Sequence, residues 1–292
     1  MFTTFTLDHI DVGEATLRVR HGGAGPAVLL LHGHPRTHAT WHRVAPLLAE
    51  RFTVVCPDLR GYGRSSKPPT DDEHTPYSKR AMARDCLALM HGLGHRRFAV
   101  VGHDRGGYVA FRLAMDHPGS VSALVALDVV PIGDALDRCD ARFATRWWHW
   151  FFLASPELPE KVIGADPDAF YGVRYGADED DMSREEFQDY QRAIHDPGTV
   201  HAMCEDYRAG VGIDRRHDEQ DRAAGRRLRC PTLVLWGSES GLAELYDDDV
   251  LGVWAPWAPR LRGAPVKSGH HLMEEAPGDL AAQISRFLSA PQ

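Results

Sequence analysis

The chain has 292 residues, 43% hydrophobic and 25% charged, with a formal net charge of −8; that length holds one large domain, or a core with an insertion, without covalent staples. The acidic balance argues against a nucleic-acid binder, and five cysteines with no C-x-x-C pair fit a reducing compartment better than a disulfide framework. With no basic flank leading into an apolar run at the start, and no stretch near the roughly 18–20 apolar residues of a membrane span, the expectation is a cytoplasmic enzyme that does not enter the membrane.

Residues 4–21 alternate apolar and polar around Gly13, which predicts a β-hairpin at a sheet edge. Short aliphatic runs at 27–31, 52–56, 98–101, 123–127, 232–236 and 264–266 predict strands covered on both faces. Between them, residues 39–50 place Trp41, Val44, Leu47 and Leu48 on one helical face, and residues 78–93 do the same with Met82, Cys86, Leu89 and Met90. Strand–helix alternation of this kind predicts an α/β fold with a mostly parallel, eight-stranded, doubly wound sheet. The alternation stops near Pro131, and residues 132–225 contain no convincing strand. This predicts a helical lid inserted after the sixth strand, with 1–131 and 226–292 forming the core.

The segment Gly102-His103-Asp104-Arg105-Gly106 joins a predicted strand to a predicted helix. It has the form of a nucleophile elbow, in which small residues flank a strained turn. The central residue is Asp104 rather than Ser or Cys. A carboxylate is already ionised near neutral pH, so it can displace a leaving group from saturated carbon without a base to activate it. An ordinary helix cap would also suit Asp at this position; the remaining pieces favour the nucleophile.

Gly269-His270-His271 follows the last predicted strand, where this fold brings its base to the elbow. His270 is the expected base and His271 a neighbour without chemistry. The acid that orients the base should stand at a strand end. Asp128 does so after 123–127, while Glu239 after 232–236 is a weaker alternative. The turn His32-Gly33-His34-Pro35 follows the third strand; its backbone at His34, with the N–H of Arg105, is the expected oxyanion hole. The acidic runs Asp178-Glu179-Asp180-Asp181 and Asp247-Asp248-Asp249 lack the glycine of a calcium loop and read as solvated turns. Neither a metal nor a cofactor is expected.

These motifs, together with Asp58-Leu59-x-Gly61-Tyr62-Gly63-x-Ser65, His149-Trp150 and the run Met203-Cys204-Glu205-Asp206-Tyr207-Arg208-Ala209-Gly210, run over nearly the whole chain. They resemble the fluoroacetate (haloacetate) dehalogenase branch of the α/β-hydrolases. The resemblance implies a small haloacid substrate and water, with Arg105 binding the substrate carboxylate and His149, Trp150 and Tyr207 donating hydrogen bonds to the departing halide. It also implies a homodimer. By contrast, Trp148, Phe151 and Phe152 read as core packing.

The chain departs from that branch at position 108, where a second arginine is usual and Tyr108 stands here, one helical turn beyond Arg105. His34 replaces a more usual aromatic such as Phe. An epoxide hydrolase would share Asp104, His270 and Asp128 and would use lid tyrosines. Tyr207 could be one, with Tyr171, Tyr175 or Tyr190 as the second.

Overall fold

The structure is a computed structural model and describes residues 2–175, 182–247 and 249–290. Among the described residues one eight-stranded sheet runs in the order β1-β2-β4-β3-β5-β6-β7-β8. Its strands are β1 (Thr6–Asp11), β2 (Thr16–Gly22), β3 (Ala27–Leu31), β4 (Thr53–Pro57), β5 (Phe98–His103), β6 (Val121–Leu127), β7 (Thr232–Gly237) and β8 (Leu261–Val266). Strand β2 pairs antiparallel with both β1 and β4, and every later pairing is parallel. Strand β8 starts three residues before its expected position; Arg262 and Gly263 break the apolar run there, and its outer residues are only half-covered.

The period of two along each central strand sends alternate residues to opposite faces. Leu29, Leu31, Val100, Leu124 and Ala126 pack with Met82 and Leu89 of α2 (Lys79–Gly92) and Val109 and Leu113 of α3 (Arg105–Asp116). Val28, Leu30, Val101, Val125 and Leu235 pack on the other face, with Leu48 of the first helix, α1 (Ala45–Ala49), and Ile284 and Phe287 of the C-terminal helix. The single helix expected over 39–50 is in fact two pieces, a 3₁₀ turn at His38–Trp41 and then α1. Pro46 causes the break, because proline has no N–H and is tolerated only in the first turn of a helix.

Between β6 and β7 the chain forms α4 (Ile132–Asp137), α5 (Ala141–Arg146), α6 (His149–Ala154), α7 (Leu158–Ala165), α8 (Pro167–Tyr175), α9 (Arg184–Ile194), α10 (Pro197–Ala209) and α11 (Arg215–Ala223). A π turn at Gly210–Asp214 carries α10 into α11. On α6, His149, Trp150 and Leu153 face inward. The core-packing expectation holds for Phe152, which is half-buried against the core, and fails for Phe151 and for Trp148 just before the helix, which are 41% and 42% exposed. The inward stripe of so short a helix is too narrow to take all of them. After β7 come α12 (Gly241–Leu245), α13 (Val250–Trp254), α14 (Leu272–Glu275) and α15 (Pro277–Ser289). The acidic run 178–181 and Asp248 lie outside the described residues.

Candidate active site

Asp104 sits between β5 and α3 at φ 48°, ψ −118°, a conformation that costs a non-glycine residue about 1–3 kcal/mol. The elbow closes only because its flanks are small. A Cβ on Gly102 would stand 2.2 Å from the Gly106 carbonyl oxygen, and one on Gly106 would stand 2.4 Å from that of His32. The turn aims the Asp104 carboxylate at two groups. Its Oδ1 accepts the His34 backbone N–H at 2.8 Å, and its Oδ2 lies 3.9 Å from His270 Nε2.

His270 is held from three sides. Its Nδ1 stands 2.6 Å from Asp128 Oδ2, so with Asp128 ionised Nδ1 carries the proton and Nε2 faces Asp104 as the basic nitrogen. The other oxygen of Asp128 accepts the Gly237 N–H at 3.0 Å and the Ser240 hydroxyl at 2.7 Å. The His270 carbonyl stands 2.8 Å from His103 Nε2, and the two rings lie 4.5 Å apart. On the loop itself, Glu275 accepts the backbone N–H groups on either side of His270, from Gly269 at 2.5 Å and His271 at 3.0 Å. Enclosure pushes the His270 pKa down. The Asp128 hydrogen bond and charge, then Asp104 and Glu275, outweigh that and leave it above its ordinary value. His103 and His271 go the other way: burial and then His270 keep the first well below its ordinary value, and burial, then the Arg36 charge and His270, keep the second below its own. Glu239, the alternative acid, is exposed.

A cavity of about 510 Å³ opens over these groups. Tyr108, His149, Trp150 and Tyr207 line it together with His34, Asp104, Asp128 and His270. Trp147 lines it too, its ring stacked on that of Trp150 at 5.6 Å and 7°. Burial and then the Asp104 charge raise the Tyr108 phenol well above its ordinary pKa, so its hydroxyl stays protonated and able to donate.

Arg105 does not line the cavity among the described residues. Its side chain lies behind the wall, where Nε donates to Asp206 Oδ2 at 3.0 Å and Nη2 to Asp206 Oδ1 at 3.0 Å and to the Asp206 carbonyl at 2.7 Å. Lys79 and Tyr62 also bind that carboxylate. The guanidinium carbon is 4.1 Å from the Tyr207 ring centre and 5.3 Å from that of Tyr108, so its charge stands one ring's thickness from the cavity. A Cβ at Gly210 would come within 2.9 Å of Arg105 Nη2, so glycine there leaves room for the guanidinium.

Sequence reasoning gave no role to His103, Ser240, Glu275, Asp206, Arg146 or Trp147. For Asp206 the signal is the run ending at Gly210, which marks the residue without showing that Arg105 is its partner. Among the described residues, His38, Asp58 and Asp189 have ligand atoms close enough together for a metal. Arg18 already stands among them, 2.8 Å from Asp189 and 3.6 Å from Asp58, and His38 Nδ1 is 2.6 Å from Asp58. A guanidinium thus supplies the positive charge that a metal would bring.

The fold and elbow define a hydrolase architecture, and a family profile described as alpha/beta hydrolase fold matches residues 26–277. A fluoroacetate dehalogenase of Burkholderia sp is 46% identical over 99% of this chain and 95% of its own length. A soluble epoxide hydrolase of Corynebacterium sp is 33% identical over 87% of each. The crystal structure of a protein from Nostoc sp PCC 7120, assigned to the α/β hydrolases, superposes with a TM-score of 0.95 at 44% identity and covers all of both chains. The chain therefore belongs to the α/β-hydrolase fold family, in the branch that includes the Burkholderia fluoroacetate dehalogenase.

Proposed function

We propose that this protein hydrolyses the carbon–halogen bond of a small haloacid through an ester on Asp104. The observation that carries the reading is the Asp104 carboxylate, 3.9 Å from the basic nitrogen of a histidine that Asp128 orients, at the floor of the cavity. In the first step Asp104 Oδ2 attacks the halogenated carbon. A carbon–oxygen bond forms and the carbon–halogen bond breaks, with the halide taking the electron pair. Fluoride is a poor leaving group and a strong acceptor, so donors from His149, Trp150 and Tyr207 stabilise charge that develops only in the transition state. In the second step His270 Nε2 takes a proton from water, and the hydroxide adds to the Asp104 carboxyl carbon. The resulting oxyanion falls on Oδ1, which already accepts the His34 N–H, with the N–H of Arg105 as its expected second donor. Collapse breaks the bond between the Asp104 carboxyl carbon and Oδ2, the departing alkoxide takes the proton from His270 and leaves as the hydroxy acid, and the proton left on the Asp104 carboxyl passes to solvent.

Arg105, paired with Asp206 behind the Tyr108 and Tyr207 rings, holds the wall of the site, and the Tyr108 hydroxyl supplies a neutral donor to the carboxylate. Residues 132–225 act as the lid over the site. A homodimer fits the exposed Trp148, just before α6, and Phe151, Leu158 and Val162 on α6 and α7; a monomeric mass by light scattering at micromolar concentration would remove that part of the reading. Epoxide opening is the second reading. It is favoured by the phenols of Tyr108 and Tyr207, which both line the cavity and could share a developing oxyanion. Tyr171 and Tyr190 do not line it, and the Tyr175 side chain lies outside the described residues. Turnover of fluoroacetate, bromoacetate and styrene oxide separates the readings: halide release from the acids with no diol from the epoxide is expected, and the reverse would replace the first reading with the second.

A further inference from the structure

The cavity is larger than a two-carbon acid requires. Bromoacetate has five heavy atoms; at the roughly 30 Å³ that one water takes up in the liquid, five such volumes fill ~150 Å³, against about 510 Å³ here. Part of the lining lies at the rim, where α5 ends beside the start of α12. There Arg146 lines the cavity with a side chain that is 51% exposed. It lies close over Gly241, where a Cβ would stand 2.9 Å from its Nε.

The other charges of the lining already have close partners. Asp128 holds His270, Glu274 is bonded to Arg36, and Glu275 takes two backbone N–H groups. The Arg105 charge is matched by Asp206 behind the wall. Among the described residues Arg146 is the guanidinium that lines the cavity, and its counter-ion is weakly placed: Glu244 Oε2 is 3.4 Å from its Nε, and the Glu244 side chain is 62% exposed. Water and salt screen such a pair, so an incoming carboxylate can exchange for it.

We infer that Arg146 recognises the carboxylate of a haloacid longer than two carbons, whose halogenated end reaches Asp104 while its acid end stays at the rim. Planar guanidinium donors match a carboxylate two-to-two, which suits Arg to that task. This rests on the dehalogenase reading and names its substrate class.

The test compares bromide release from bromoacetate, 4-bromobutyrate and 6-bromohexanoate with release from 1-bromobutane and 1-bromohexane, the neutral partners of the longer acids. It uses the full-length native protein, Arg146→Gln and Glu244→Gln. For the longer acids, the ratio of kcat/KM for acid over neutral partner should fall at least ten-fold in Arg146→Gln and rise in Glu244→Gln. Opposite movement in two rim variants is not produced by misfolding. Ratios within two-fold of native in both variants, or lowered in both, would overturn the inference. A native protein that accepts bromoacetate but neither longer acid would also overturn it while leaving the dehalogenase reading in place. No bromide from any substrate would overturn that reading as well.

Discussion

Asp206 is the residue on which the back wall of the site depends. It is fully buried, takes two N–H groups of Arg105 and the Tyr62 hydroxyl, and stands against Lys79. Removing one partner of such a group leaves buried cations without a counter-charge, at about 3–5 kcal/mol. Asp206→Ala should therefore lower the unfolding free energy by about that amount in urea titration; a loss below about 1 kcal/mol would show that the pair does not hold the wall. Tyr108 lines the cavity and, on the proposed reading, meets the substrate carboxylate. Tyr108→Phe removes one neutral hydrogen bond, about 0.5–1.5 kcal/mol, so KM for the acid should rise roughly two- to ten-fold with a smaller change in kcat and an unchanged Tm. An unchanged KM would show that Tyr108 only packs against Trp150, whose ring centre is 5.9 Å away. From its place beside the nucleophile Arg105 is expected on the substrate carboxylate; its N–H groups go instead to Asp206, a carboxylate 101 positions along the chain that local sequence does not point to.

At the scale of elements, the elbow was legible because strand, turn and helix fall within a few residues and the glycines are forced by contacts of 2.2–2.4 Å. The helix expected over 39–50 divides because Pro46 interrupts a run whose apolar spacing alone fits one helix. The α14 loop hid more. Glu275 sits five residues after His270 and, as a surface acid before a helix, gives no sequence signal of the two backbone N–H groups it accepts. It belongs to the set of charges that raises the His270 pKa, after Asp128 and Asp104. Ester hydrolysis needs neutral His270, so its rate should climb with pH through a value above the ordinary 6.5. In Glu275→Gln the pKa should drop and the acid limb should move to lower pH. Single-turnover rates measured against pH check this, and a limb that stays in place would reduce Glu275 to a helix cap.

For the whole molecule, the question is what joins the helices between β6 and β7 to the sheet. Arg112 of α3 bonds Asp218 and Asp221 of α11 at 2.7 and 2.5 Å, Arg18 of β2 bonds Asp189 of α9 at 2.8 Å, and Arg105 bonds Asp206 of α10. The parallel sheet and the strandless stretch after Pro131 could be read from local runs, but these cross-links and the cavity they frame arise only when distant segments meet. They also set a pH dependence. Burial raises the Asp206 carboxyl, and Arg105 and Lys79 more than reverse this, holding it well below the ordinary carboxylate range. A depressed folded pKa gives stability that is present above the unfolded value and is lost as pH falls towards the folded one. Tm should accordingly begin to drop below roughly pH 4, with a shallower drop in Asp206→Asn; matching curves for the two proteins would contradict the assignment. Turnover by the proposed route requires that Asp104 form an ester that only His270 clears. Peptide mass mapping of His270→Asn after reaction with bromoacetate tests this most directly. The expected result is a carboxymethyl group on the peptide carrying Asp104, with one bromide released per chain, and its disappearance when Asp104→Asn is added. An unmodified Asp104 peptide in His270→Asn, while the native protein releases bromide under the same conditions, would contradict it.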